Sequence, residues 1–166
     1  MCRFEREHKY ENAWVRQGIL FGALLGLIHI GYNLINNLAP ANLTVNGLLN
    51  NSLLFAVVIF TSIAGYIAAR KTGQMKLGTY AGLCTGLLSI VIGVCALFLI
   101  TFAFMGIIRQ NAFMLDDFHR SGMKSIDEFI IEDALGATMV GTFLSLFTGG
   151  ICGTVGGCLG KTLKGW

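Results

Sequence analysis

The chain has 166 residues, 54% of them hydrophobic and only 13% charged, with 22 glycines, one proline and a net charge of +3. Soluble domains carry about 25% charged residues, and a chain of this length folded in water would still expose much of its area. A water-soluble domain is therefore excluded, and a single all-α domain held in a bilayer is expected.

The first apolar stretch covers residues 14–38, behind a tail with Arg3, Arg6, Lys9 and Arg16. It is too long for a secretory leader and lacks a small-residue cleavage site, so it reads as a retained span. On a helix of about 100° per residue, Gly18, Gly22, Gly26, His29, Asn33, Asn36 and Asn37 fall within about 100° of arc. The stripe is small in its first half and polar in its second. Pro40 then breaks helical hydrogen bonding and predicts a tight turn at Ala39-Pro40.

The second stretch covers 48–69 and ends in Arg70, Lys71 and Lys76, with Gly65, Ala69 and Gly73 in a four-residue series. The third, 77–108, repeats the stripe as Gly78, Gly82, Gly86, Ser89, Gly93 and Ala96. It exceeds the roughly 20 residues that a bilayer needs, so it must tilt or project. Residues 109–129 form an acidic, amphipathic connection. Ser125 and Glu128 there have capping-box spacing and predict a fourth helix starting near Ile126. The fourth apolar stretch, 130–159, carries Ala137, Gly141, Ser145, Gly149, Gly153 and Gly157 at unbroken four-residue spacing.

Two tandem helix hairpins are expected. Gly18, Gly22, Gly26, Leu27 and Ile30 correspond to Gly78, Gly82, Gly86, Leu87 and Ile90 at a constant offset of 60 residues. The pattern predicts that the first and third helices run parallel. Nine Lys/Arg lie in the tails and the second connection, against three in the third connection and none in the first. The positive-inside rule then places both termini in the cytoplasm. The layout is similar to that of small four-span bacterial membrane proteins, and a bacterial plasma membrane is the expected location. No family follows from it.

Lipid is as apolar as leucine, so spans associate where small residues let backbones meet. The stripes predict a glycine-zipper bundle, tightest at the cytoplasmic end and splayed at the outer end. Gly18, Gly22, Gly26, Gly78, Gly82, Gly86, Gly141, Gly149, Gly153 and Gly157 are the expected packing positions. His29, Asn33, Asn36 and Ser89 form the candidate intramembrane polar site. His29 has three readings: a neutral imidazole bonded to Asn33 or Thr61, a lining group of a proton or solute path, or a metal or tetrapyrrole ligand. No second ligand at matching depth supports the last.

The five cysteines include no C-x-x-C pair, and they read as small packing residues, with Cys2 a weak candidate for palmitoylation. No catalytic constellation, cofactor fingerprint or metal motif is present, and the basic residues are too scattered for nucleic acid. The expected partners are the bilayer and either a second copy or another membrane protein. Two functions follow: a non-enzymatic protein that acts by helix association, as a homo-oligomer or accessory subunit, or a small channel or transporter lined by His29 and the asparagines.

Orientation is tested by cysteine labelling in a cysteine-free background. Cysteines at Gly47 and Ser121 should react with an impermeant thiol reagent in intact cells, and one at Thr72 should not. The reverse pattern would invert every loop assignment.

Overall fold

A computed structural model describes the backbone of residues 3–39 and 43–163 and the side chains of residues 12–39 and 45–163. Cys2 and the turn expected at Pro40 lie outside the described residues. The elements are α1 (Arg3–Leu38), α2 (Leu43–Thr72), α3 (Met75–Ala103), α4 (Met105–Ile108), α5 (Ala112–Ser121) and α6 (Ile126–Thr162). Four of them, α1, α2, α3 and α6, contain stretches long and apolar enough to cross a membrane.

Local chemistry sets the ends. Gly73 closes α2 in the left-handed region, at φ 78°, and donates its N–H to Ala69 O at 2.7 Å. Only a residue without a Cβ adopts that conformation freely, so the chain reverses within two residues before α3. Gly122, at φ 72°, ends α5 in the same way. The Ser125 hydroxyl accepts from Glu128 N–H and caps α6.

The third apolar stretch is not one helix over 77–108. It ends at Ala103, bends at Phe104 (φ −120°, ψ 22°) and resumes for one turn as α4. The 29 residues of α3 already reach about 43 Å, beyond a hydrocarbon core of about 30 Å. The surplus folds back and fully buries Ile108. Arg109 makes a bidentate pair with Asp127, at 2.6 Å on both arms, tying this corner to the start of α6. The apolar face of α5 then rests on α6 through Phe118 and Phe129, their rings 5.9 Å apart.

Contacts fix the helix directions. Gly18, Gly22 and Gly26 of α1 meet Cys84, Leu88 and Ile92 of α3, with both series rising together. These helices run parallel, as tandem hairpins require. Gly156 and Gly160 of α6 meet Ser62 and Tyr66 of α2, so that pair is also parallel. Gly78, Gly82 and Gly86 meet Gly157, Gly153 and Ser145, so α3 and α6 are antiparallel. Phe21 against Phe60 and Tyr32 against Asn50 make α1 and α2 antiparallel as well. The ring order is α1, α3, α6, α2, with α2 and α3 also touching across the middle. The starts of α1 and α3 and the ends of α2 and α6 share one end of the bundle, called here the terminal end. The opposite end carries α5.

At the terminal end the backbones touch. A Cβ built on Gly82 would lie 2.6 Å from Gly153 Cα, and one on Gly78 would lie 2.7 Å from Gly157 Cα. A Cβ on Gly156 or Gly160 would collide with the carbonyl oxygen of Ser62 or Tyr66. Ala64, Ala68 and Ala81 are fully buried between these contacts. Toward the α5 end the stripe of α6 loosens. Gly149, Gly153 and Gly157 are buried, Gly141 is half-buried and Ala137 is exposed.

A matched pair of substitutions tests this contrast. Gly82→Ala should cost about 1–3 kcal/mol, as overpacking does, because the obstacle is backbone. Gly136→Ala, where a Cβ meets nothing within 4 Å, should be neutral or gain up to about 1 kcal/mol of helix propensity. Unfolding in mixed detergent micelles measures both; equal costs would contradict the packing.

Candidate functional site

Toward the α5 end lies a cavity of about 440 Å³ lined by all four spans. Its floor is the level at which Gly86 meets Ser145: a Cβ on Gly86 would sit 2.7 Å from Ser145 O. The Ser145 hydroxyl donates to Gly86 O at 3.2 Å and closes that level. Val57, Ile90 and Leu144 form the lower walls. His29, Tyr32, Asn33 and Asn50 form the polar upper part.

These polar groups are placed by α1 and its neighbours. Asn33 Nδ2 donates to Gly93 O of α3 at 3.0 Å. Asn37 Nδ2 donates to Asn33 O one turn away at 2.9 Å. The Tyr32 hydroxyl donates to Asn50 Oδ1 and bridges α1 to α2. The His29 ring lies on Gly93, where a Cβ would come 2.8 Å from Nδ1, so glycine at 93 makes room for the imidazole.

His29 is 8% exposed, and its Nε2 is buried with no hydrogen-bond partner among the described residues. The bond expected to Asn33 or Thr61 is not made. Asn33 is engaged with Gly93, and the Thr61 hydroxyl turns back to Val57 O at 2.7 Å within its own helix. A hydroxyl on a helix finds its own carbonyl one turn back without crossing the bundle, and that local bond wins. A buried polar atom without a partner is expensive, by about 1–3 kcal/mol, and His29 is one of the residues that line the cavity.

Of the other candidate residues, Asn36 lies in a smaller adjoining pocket of about 70 Å³ with Asn37, Thr101 and Asp133. That pocket shares Tyr32, Asn33, Leu97 and Ala137 with the main cavity and leads to Met114 under α5. Ser89 is fully buried and donates to Gly86 O at 2.9 Å, so it serves the floor and not the cavity wall. Gly141 lines the cavity, whereas the other nine glycines expected at packing positions make the close contacts described above or adjoin them.

Reading the sequence by stripe missed Tyr32, Asn50 and Ser145 as site residues. Tyr32 follows His29 by one turn, which was a usable signal. Asn50 joins the site only through the α1–α2 pairing, which no local pattern reveals.

The cavity presents imidazole, phenol, amide and hydroxyl groups. No Asp, Glu, Lys or Arg lines it. Among the described residues no group of three or more His, Cys, Asp or Glu is placed to hold a metal ion. No protein-family model, curated protein or solved structure matches the chain.

Two substitutions separate a bonded from an unbonded polar group. Asn33→Leu should cost about 1 kcal/mol, the scale of an interhelical bond in a membrane. His29→Leu should cost clearly less, because its Nε2 has no protein bond to lose. Reversible unfolding in bicelles measures both, and a larger cost for His29→Leu would contradict the assignment.

Proposed function

We propose that this is a non-enzymatic, multi-pass membrane protein that works as a small carrier. Its terminal half is a glycine zipper facing the cytoplasm, and its cavity opens on the outer half. The observation that carries this reading is the four-helix cavity lined by His29, whose Nε2 is unbonded. Pockets built between helices, mostly apolar with a few convergent polar groups, are the usual form of a small-molecule site. The cavity ends at the Gly86–Ser145 level, above backbones in contact. That favours a carrier whose packed half must part over an open pore.

The association reading has a narrower base. Most of the small-residue stripes are occupied within the chain, so they are not free for a second molecule. Gly136 of α6 is among the small residues left uncovered, and a partner helix from a second copy or another membrane protein could seat there.

Cysteine accessibility tests the carrier without knowledge of its substrate. In a cysteine-free background in liposomes, Ser145→Cys should react with a soluble maleimide from the α5 side, by way of the adjoining pocket that leads to Met114, and slowly from the terminal side. Thr79 and Thr154 have hydroxyls 3.0 Å apart, so a Thr79→Cys/Thr154→Cys cross-link should hold α3 to α6. The cross-link should abolish the slow reaction alone, and reductant should restore it. Equal immediate reaction from both sides would mean a pore. Reaction from neither side would remove both transport readings and leave association.

A further inference from the structure

The main cavity has a mouth that its exposed lining residues locate. Those residues are Asn50, Leu54, Ala137, Val140 and Leu144, all on α2 and α6. Lining residues from α1 and α3 are buried or half-buried. The same two helices are in backbone contact at the terminal end, where Gly156 meets Ser62 and Gly160 meets Tyr66. They therefore diverge from a closed apex, and the gap between them faces sideways, between lipid-facing surfaces such as Phe55, 66% exposed, and Phe143, 73% exposed. A sideways gap at this depth admits molecules dissolved in the bilayer.

The lining is graded along the bundle. Val57 and Ile90 surround the closed lower part, and His29, Tyr32, Asn33 and Asn50 surround the upper part. Of these polar groups, Asn33 and Tyr32 already donate to protein acceptors, whereas His29 Nε2 is unbonded. An occupant that fits has an apolar body pointing to the floor and a polar group at His29. With no charged side chain in the wall, an ionic head would be stranded in a low-dielectric site, whereas a neutral head needs only a hydrogen bond. A hydroxyl both donates and accepts, so it satisfies Nε2 in either tautomer of the imidazole. The volume, about 440 Å³, falls in the range of sites for drug-sized molecules.

We infer that the cavity binds an uncharged, single-chain amphiphile with a hydroxyl head, taken in from the bilayer through the gap between α2 and α6 and held by its hydroxyl on His29 Nε2. This rests on the cavity that supports the carrier reading, but it requires binding only, without movement across the membrane.

The test uses the full chain in nanodiscs and a diazirine-bearing dodecanol as photolabel, with dodecanol, dodecane, dodecanoate and dodecyltrimethylammonium as competitors in the lipid phase. Label should map to residues 50–57 and 137–145, and dodecanol should compete best. Loss of one buried hydrogen bond corresponds to roughly fivefold to tenfold in affinity, which sets the expected preference for alcohol over alkane. His29→Leu should still take label but lose that preference, and His29→Gln should keep part of it. Gly141→Phe, with its ring in the cavity, should block labelling; helical content and a monodisperse elution profile confirm that each variant is folded.

Equal competition by dodecane and dodecanol in the wild type, stronger competition by either ion, or undiminished labelling of folded Gly141→Phe would overturn the inference. If Ser145→Cys reacts quickly from the α5 side and slowly from the terminal side while dodecanol shows no preference, the carrier reading stands and this inference falls. If dodecanol binds as expected while Ser145→Cys never reaches the terminal side, the site stands and the carrier reading falls.

Discussion

Backbone contact between helices at the terminal end is the constraint on which the rest depends. In lipid, apolar side chains gain little by leaving the solvent for one another, so cohesion comes from dispersion at short range and from interhelical hydrogen bonds. Gly65, Gly78, Gly82, Gly153, Gly156 and Gly160 let carbonyls and Cα atoms of α2, α3 and α6 approach to distances that a Cβ would forbid. Alanines 64, 68 and 81 fill what remains. The result is a close-packed apex where three spans meet with almost no side-chain layer between them.

A bundle pinned at one end opens at the other once its side chains grow. Above Gly86, Ile90, Leu97 and Leu144 join Gly93 and Gly141 at the facing positions, and the inward line of α1 changes to His29, Asn33 and Asn37. Larger residues hold the axes apart, and polar residues then find partners across the wider space. Asn33 to Gly93 and Tyr32 to Asn50 are such bonds, and they fix α1 to α3 and α2 where glycine contacts no longer do. The cavity is the part of that space left unfilled. In its lining residue His29, Nε2 is left unbonded because Gly93 gives the ring room without giving it a partner.

The four spans and their helical character were legible from hydropathy and length alone, because the bilayer allows few alternatives to a long helix. Ser125 marked the start of α6 through its cap, and the matched glycines of the first and third spans anticipated their parallel run. The break at Phe104 was not legible. Residues 77–108 are apolar throughout, and only the packing of Ile108 against the bundle shows why the helix stops. The partner of His29 was misjudged for a related reason. Helical phase places Thr61 and Asn33 near an imidazole, but it does not show that Val57 and Gly93 carbonyls claim their donors first. The cavity itself was outside the reach of a stripe analysis, since it depends on how far α2 and α6 diverge.

The central claim is that one half of the bundle is closed and the other holds an accessible cavity. Methyl NMR of the wild-type protein in nanodiscs measures this without any substitution. Intermolecular NOEs to water or lipid chains should appear at Val57, Ile90 and Leu144 and be absent at Ala64, Ala68 and Ala81. Silence at Val57 and Ile90, or NOEs of similar strength at the three alanines, would contradict the account.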